Sequence, residues 1–280
     1  MSTHETPHGR SDGAGHVSHA DTSTESAATG LSGHLARIPL PQGNITRFLF
    51  EVVLIGVAYV AYQLVRGVVE GGRVDLAFSN ASALINVERW MGIFWEPQLQ
   101  GLIINNAFLI DFFNWIYIWG HLPVIGAVAV GIYLFRRDAF ARYRNALLIS
   151  GAIGLVVFVT LHMAPPRMLA EMGFVDTITL YDQVYHALQH PAFVNQYAAM
   201  PSLHLGWNLL IGIALFESTK NLWVRGFAVL LPVSMLASII LTGNHFFLDA
   251  IAGVGVAAVA LWLATLLSRR VEGTRAAVLA

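Results

Sequence analysis

Two histidines and an aspartate stand at the starts of two apolar segments in the C-terminal third of the chain. His204 follows Ser202 in the run Met-Pro-Ser-Leu-His, and His245 opens the run His-Phe-Phe-Leu-Asp, which ends at Asp249. An ionisable side chain at the edge of an apolar segment is costly unless it is paired or used in function. These residues are therefore the first candidates for chemistry.

The spacing of His245 and Asp249 suits a nucleophilic histidine. Residues four apart lie on one face of a helix, one turn from each other. A carboxylate that accepts a hydrogen bond from one imidazole nitrogen leaves the lone pair of the other free to attack. Asp249 also falls in the first turn of an apolar helix, where the helix dipole favours an anion. A helix-entry aspartate beside a polar histidine is the alternative interpretation.

His204 and Ser202 begin the other apolar segment. An imidazole titrates near neutral pH, so His204 could protonate a leaving group and later remove a proton from an acceptor. Ser202 could present its hydroxyl and backbone N–H to an anion, because helix N-termini bind phosphate readily. It could equally serve as a simple N-cap.

A further polar element is Arg167, in the run Ala-Pro-Pro-Arg-Met-Leu. The two prolines, Pro165 and Pro166, end the preceding helix and stiffen its exit, which would hold Arg167 near the membrane surface. A guanidinium there suits bidentate binding of phosphate, although a juxtamembrane arginine also serves as a snorkelling anchor.

The composition indicates the setting in which these residues act. The 280 residues are 56% hydrophobic and 12% charged, with a mean hydropathy of +0.60, whereas soluble domains carry about twice that charged fraction. We therefore predict an all-α integral membrane protein with one helical domain over residues 46–270. The net charge of -1 provides no basic field for nucleic acid. Without cysteines there are no disulfides and no thiolate metal ligands.

The two ends of the chain are predicted to lie outside this domain. Residues 1–45 are rich in Ser, Thr, Gly and Ala without apolar periodicity, which predicts a disordered cytoplasmic tail. Residues 271–280 are predicted to form a short C-terminal tail. The histidines of the first tail could bind metal but are more simply solvated polar residues; they are His4, His8, His16, His19 and His34.

The apolar segments predict a bundle of six transmembrane helices. They cover residues 48–65, 112–135, 146–161, 201–216, 222–241 and 246–267. Tryptophans beside charges in residues 66–100 favour a helix that lies in the membrane interface. The apolar block 102–135 is too long for one straight span and has kink points at Gly120 and Pro123, and we interpret it as an approach helix followed by the second span. Two tightly turned spans are the alternative.

Basic residues predict the orientation of these spans. They cluster between spans two and three, between spans four and five, and after span six, at Arg136, Arg137, Arg142, Arg144, Lys220, Arg225, Arg269 and Arg270. If these segments are cytoplasmic, both termini are inside the cell. The segments that carry Arg167, His204 and His245 then all face the extracytoplasmic side.

The three motifs, in this order and each at a span boundary, resemble those of the type 2 phosphatidic acid phosphatase superfamily. They are Pro-Pro-Arg, Pro-Ser-Leu-His and His-Phe-Phe-Leu-Asp, and the resemblance covers about residues 48–267. The sequence Ala-Pro-Pro-Arg-Met-Leu around Arg167 and the run Gly-Phe-Val-Asp-Thr at residues 173–177 are similar to sequences of the inositol phosphorylceramide synthase-like branch.

The resemblance implies a mechanism without a metal or other cofactor. His245 would attack phosphorus and form a phosphohistidine, with Asp249 orienting it. His204 would protonate the leaving oxygen and then activate water or an acceptor alcohol. Arg167 and the region of Ser202 would hold the phosphoryl oxygens, whose charge must be stabilised in the transition state.

The function that the resemblance implies is the transfer of a phospho-head group between lipids at the extracytoplasmic face. The substrate would be a phospholipid or lipid phosphate, the acceptor a lipid alcohol, and the branch suggests inositol phosphate as the group transferred. A lipid phosphate phosphatase with water as acceptor is the close alternative. A haem- or metal-binding bundle that uses His162, His204 and His245, and a lipid-phosphate transporter without turnover, are two other classes.

The chain departs from the family pattern in its cations. The wider family has a Lys seven residues before its motif Arg, a Pro after that Arg, and an Arg six residues before the nucleophile. The residues at these positions are Thr160, Met168 and Ile239. Arg167 is then the only motif cation. Either Arg89 also enters the site, or the phosphate is bound with less positive charge and Asn244 donates a compensating hydrogen bond.

Four further polar residues are candidates for substrate binding. Asp111 and Asn114 interrupt an apolar run and could line the substrate cavity, although hydrogen bonds between helices would place them there equally well. Asp176 and Tyr181 fall in the long 164–200 connection, which we expect to cover the site. They could contact a polar head group or form a solvated loop face.

Overall fold

The computed structural model describes residues 44–68, 74–181 and 196–279. These residues form ten α-helices and two short 3-10 helices, and they contain no β-strand. The all-α fold class is confirmed. All but the last two residues of the predicted N-terminal tail lie outside the described residues. The chain divides into a unit that ends at Leu54, of which residues 44–54 are described, and a second unit from Ile55 onward, which contains the candidate site.

The α-helices are numbered here in chain order. They are α1 (Asn44–Val68), α2 (Val74–Met91), α3 (Glu96–Gly101), α4 (Ala107–Trp119), α5 (Leu122–Phe135), α6 (Arg137–Thr160), α7 (Thr177–Tyr181), α8 (Leu203–Ser218), α9 (Leu222–Leu241) and α10 (Phe247–Leu279). The 3-10 helices are Pro166–Met168 and Ala170–Met172. Because α10 continues to Leu279, the tail predicted from residue 271 is helical almost to its end.

Four helices of the described residues are long and apolar enough to cross a membrane. They contain the stretches Asn44–Leu64, Arg137–Thr160, Leu222–Leu241 and Phe247–Arg270. The pair α4 and α5 adds a fifth if it counts as one span. A sixth would require α8, which is apolar but only 16 residues long, or about 24 Å against a hydrocarbon core of about 30 Å. The chain is an integral membrane protein, and the count of six stays a prediction.

The second predicted span is two helices. The axes of α4 and α5 differ by 47°, with Gly120 as the C-cap of α4 and Pro123 in the first turn of α5. A side chain at Gly120 would meet the backbone carbonyl of Ile116. The break therefore falls at the two predicted kink points, although α4 begins at Ala107 and not at the expected residue 112.

α8 lies at the centre of the second unit, where it packs against α5, α6, α9 and α10. Glycines permit this close packing. A Cβ at Gly206 would lie 2.8 Å from the carbonyl oxygen of Gly253 in α10, and one at Gly212 would lie 2.6 Å from that of Ala228 in α9. The starts of α8 and α10, which carry the two motif histidines, are thereby held together.

α2 is amphipathic, as its sequence predicts. Its buried face recurs every three or four residues and consists of Ala77, Ala81, Leu84, Ile85 and Glu88. This face packs in an apolar cluster with Leu169, Phe174 and Phe246, while Trp90 on another face is 86% exposed. Whether α2 lies in the membrane interface stays a prediction.

The predicted cytoplasmic basic segments meet at one end of the second unit. Arg136 and Arg142 near the start of α6 and Arg269 in α10 line one cavity. Arg225 in α9 donates from Nε to the carbonyl oxygen of Thr219, at 2.8 Å. The motif residues lie at the opposite ends of the same helices. Which end faces the cytoplasm stays a prediction.

Candidate active site

The start of α10 brings His245 and Asp249 together. Both are buried, at 4% and 0% exposure, and Nδ1 of His245 lies 3.6 Å from Oδ2 of Asp249. His245 precedes the helix, which begins at Phe247, so a turn and not helical periodicity sets this pairing. The distance exceeds that of a hydrogen bond. Catalytic hydrogen bonds are often long before substrate binds and tighten in the complex.

The backbone around Asp249 holds its carboxylate in place. Oδ2 accepts from the N–H of Phe246 at 3.0 Å, and the backbone carbonyl accepts from the N–H of Ser202 at 2.9 Å. Among the described residues, Oδ1 of Asp249 and Nδ1 of His245 are buried without a hydrogen-bond partner. A shift of a few tenths of an ångström would bring Nδ1 of His245 within hydrogen-bond distance of Oδ2 of Asp249.

His204 lies beside this pair, in a wall of aromatic rings. Its ring centroid is 5.8 Å from that of His245. It stacks on Tyr117 at 4.4 Å and lies 4.2 Å from His121. Asn208 donates to the backbone carbonyl of His204 at 2.9 Å, and its Nδ2 lies 3.3 Å from Nδ1 of His121. Two imidazoles at this separation can act on one group between them.

The residues around His204 were missed by the sequence analysis. Asn208 follows His204 by one helical turn, so its polar side chain in an apolar helix was a usable signal. His121 and Tyr117 lie in another segment, at the break between α4 and α5. Nothing in their local pattern indicates that they approach His204, because their approach depends on how that break is packed.

Ser202 is fully buried and is the N-cap of α8. Its Oγ accepts from the N–H of Leu205 at 3.5 Å. Its own backbone N–H, which could have faced an anion, instead donates to Asp249. The capping role is thus present, and only the hydroxyl hydrogen of Ser202 remains for a ligand.

Arg167 is tied to the segment that precedes the nucleophile. Its backbone N–H donates to the carbonyl of Gly243 at 2.7 Å, and its Nη1 donates to Oδ2 of Asp176 at 2.9 Å. Gly243 has φ 67°, and a Cβ there would lie 2.9 Å from Nε2 of Gln100. A residue with a side chain would therefore be strained at this position.

Asn114 and Asn244 belong to one buried polar chain. Asn114 donates to the carbonyl of Thr177 at 3.1 Å and accepts from its hydroxyl at 3.2 Å. That hydroxyl also lies 3.3 Å from the carbonyl oxygen of Thr242, and Nδ2 of Asn244 donates to the hydroxyl of Thr242 at 2.7 Å. Asn114 therefore forms hydrogen bonds between segments, and one hydrogen of the Asn244 amide is already used.

The other candidates have separate surroundings. Asp176 binds Arg167 and the backbone and hydroxyl of Thr179, so it is a partner of the motif cation and not a solvated loop residue. Tyr181 ends α7, and its side chain lies outside the described residues. Asp111 is exposed on α4.

Arg89 is exposed at the end of α2. Its guanidinium lies 5.0 Å from the ring centroid of Phe94, and Nη2 lies 3.7 Å from Sδ of Met172. Within the described part of the chain, none of its contacts reaches a site histidine. A role of Arg89 in phosphate binding stays a prediction.

Two glutamates that the sequence analysis did not consider also reach α10. Glu88 and Glu96 are fully buried. Oε1 of Glu96 accepts from the N–H of Phe247 at 3.0 Å, and Oε1 of Glu88 accepts from the N–H of Leu248 at 2.8 Å. Burial, a hydrogen bond with Glu96 and the negative charges of Glu96 and Asp249 raise the pKa of Glu88 to about 9. Glu88 lies on the apolar face of α2, which was a usable signal.

No group of three or more His, Cys, Asp or Glu in the described ranges is arranged to hold a metal ion. His162 is buried after α6, where its backbone carbonyl accepts from Asn80 at 2.8 Å. The ring of His204 is near that of His245, whereas the contact of His162 is made by its backbone and its Nδ1 is buried without a hydrogen-bond partner among the described residues.

Comparison with known proteins gives one match. A family model described as the PAP2 superfamily matches residues 82–263, which is more than half of the chain. No curated protein and no solved structure matches the chain significantly. The matched range contains Arg167, Ser202, His204, His245 and Asp249.

Proposed function

Because the chain belongs to the PAP2 superfamily, whose members are phosphatases or phosphotransferases, we propose that it is a lipid phosphotransferase that acts through a phosphohistidine. It transfers a phospho-head group from a phospholipid to a lipid alcohol at the extracytoplasmic face of the membrane. Inositol phosphate is the head group that the branch resemblance suggests. The observation that carries this proposal is the meeting of His204, His245 and Asp249 at the starts of two packed helices.

In the first step His245 attacks the phosphorus through Nε2. A bond forms from Nε2 to phosphorus, and the bond from phosphorus to the leaving lipid oxygen breaks. Protonated His204 gives that oxygen its proton, so a neutral lipid alcohol departs. Asp249 accepts from Nδ1–H of His245 and stabilises the positive charge on the imidazole. The 3.6 Å separation then contracts to a hydrogen bond.

The phosphoryl oxygens are held by a small set of donors. Arg167 is oriented by Asp176 through Nη1, and its Nε is buried without a partner in the described part of the chain. The hydroxyl of Ser202 keeps its hydrogen while Oγ accepts from the backbone. Asn244 has a second amide hydrogen. These donors supply the electrostatic stabilisation on which phosphoryl transfer depends.

In the second step His204, now neutral, removes a proton from the acceptor hydroxyl. The acceptor oxygen bonds to phosphorus as the bond to Nε2 of His245 breaks, which returns the enzyme to its starting state. Water would serve in place of a lipid alcohol wherever it reaches His204. Since His204 is only partly buried, hydrolysis of a lipid phosphate is the second candidate function.

The test is to trap the intermediate. Purified protein is incubated with phospholipids labelled at phosphorus and quenched in alkali, which preserves phosphohistidine. We expect label on His245, none in His245→Ala, and accumulated label in His204→Ala when the leaving group needs little protonation. The absence of label with every donor would overturn the mechanism. Loss of turnover in His245→Ala with lipid binding retained would exclude a transporter.

Two further measurements resolve the alternatives. Lipid alcohol is then added to the labelled protein. If the protein is a transferase, the label should appear in a new phospholipid. If it is a hydrolase, the label should appear as free phosphate or head-group phosphate. Purified protein with stoichiometric haem or metal would favour the binding-protein class. An Arg89→Ala variant with unchanged substrate binding would remove Arg89 from the phosphate site, leaving Arg167 as its cation.

A further inference from the structure

The first turn of α10 is capped by three carboxylates from three different elements. The N–H of Phe246 donates to Asp249 at 3.0 Å, that of Phe247 to Glu96 at 3.0 Å, and that of Leu248 to Glu88 at 2.8 Å. A helix start is ordinarily capped by one side chain and by water. The two glutamates precede their partners by 151 and 160 residues along the chain, so this is a long-range tertiary contact.

These three N–H groups belong to the residues between His245 and Asp249. Their positions therefore determine how the backbone turns from the nucleophile to its orienting carboxylate. Glu88 contacts Leu248 from the last turn of α2, and Glu96 contacts Phe247 from the first residue of α3. The local sequence alone would leave two of the three N–H groups to solvent.

The remaining oxygens of the two glutamates indicate how the pair is held. Oε2 of Glu88 and Oε2 of Glu96 are buried, and no donor in the described part of the chain reaches either of them. Two ionised carboxylates beside Asp249 would be costly in this position. A single proton makes one carboxyl a donor to the other and satisfies both oxygens. The raised pKa of Glu88 agrees with this arrangement.

We propose that Glu88 and Glu96 are positioning residues of the active site, bound to each other as one carboxylic acid and one carboxylate, and that they set the geometry between His245 and Asp249. The proposal rests on the proposed function for its catalytic consequence only. The other charged group that faces Glu88 is Asp249. Neither glutamate has an ion-pair partner among the described residues.

The variants that test this differ in what they keep. Glu88→Gln and Glu96→Gln retain an oxygen for the helix N–H and add an amide donor for the remaining carboxylate, so they should keep most of kcat. Glu88→Leu and Glu96→Leu remove both, and a displacement of about 1 Å at the nucleophile should then lower kcat about 100-fold with KM changed far less. Glu171→Gln, an exposed glutamate, is the matched control.

A second measurement does not require activity. In infrared spectra the folded wild type and Glu171→Gln should show the C=O band of a buried carboxylic acid at neutral pH, and Glu88→Gln should lack it. Absence of that band from the folded wild type would overturn the shared proton. Gln variants as inactive as the Leu variants would overturn the positioning role.

If no lipid is turned over by the wild type, the proposed function fails, but the infrared band still shows whether Glu88 and Glu96 share a proton. If the Leu variants do not fold, the band and the Gln variants carry the test.

Discussion

The raised pKa of Glu88 makes a prediction that needs no substrate. The carboxyl is fully buried, and burial, the hydrogen bond with Glu96 and the charges of Glu96 and Asp249 raise its pKa from 4.5 to about 9. Between these two values the folded protein holds a proton that the unfolded chain has released. The contribution of Glu88 to the free energy of unfolding is therefore fully present below its pKa in the unfolded chain. It is lost as the pH rises towards its pKa in the folded protein.

The magnitude follows from the width of that window. Each pH unit inside it lowers the free energy of unfolding by about 1.4 kcal/mol for one proton. From about pH 6 to about pH 8, the wild type should lose on the order of 3 kcal/mol through Glu88. For a chain of this size that corresponds to roughly 6 to 12 °C in Tm. The direction of the change in stability follows from the raised pKa alone and does not depend on the upper limit of this pH range.

The assay is thermal unfolding in detergent at a series of pH values, followed by tryptophan fluorescence. Glu88→Gln lacks the group whose pKa is raised and should therefore lose less Tm over the same range. Glu171→Gln removes an exposed carboxylate and should follow the wild-type curve. Parallel curves for the wild type and Glu88→Gln would refute the reasoning, as would a wild type that gains stability relative to the variant at higher pH.

Three other predictions concern the site and the topology. Asp249→Asn keeps an oxygen for the N–H of Phe246 but loses the charge, so kcat should fall by about 10⁴ with little loss of Tm. Asp249→Ala should lose about 1 kcal/mol of stability as well. Equal activities of the wild type and Asp249→Asn would contradict the orienting role. Gly243→Ala, at φ 67°, should cost about 1 to 3 kcal/mol by urea unfolding, whereas Gly255→Ala in α10, where a Cβ has no neighbour within 4 Å, should not destabilise the protein. Since the chain has no cysteine, Lys220→Cys gives a single thiol, which an impermeant reagent should label only after the cells are opened; labelling of intact cells would reverse the predicted orientation.

Much of the fold and of the reactive centre could be predicted from the chain itself. Hydropathy over windows of about 20 residues predicts membrane helices because each must satisfy its own backbone and bury apolar side chains in lipid. The approach of His245 and Asp249 is local, since only three residues separate them. The kink at Gly120 and Pro123 also follows from local backbone chemistry, although the sequence analysis placed a single span, residues 112–135, across it.

Only the tertiary structure decides what surrounds that centre. Glu88 lies in the segment that the sequence analysis interpreted as an interfacial helix, yet it caps α10 from a position 160 residues earlier. Likewise the backbone N–H of Ser202 is used by Asp249, and Arg167 is paired with Asp176. Periodicity and motif spacing describe a segment and its own face. Which distant carboxyl or ring meets that face depends on helix packing, and in this protein that packing is set by glycine contacts and by the break between α4 and α5. The sequence by itself determines which groups can react, and the packing of the helices determines which groups hold them.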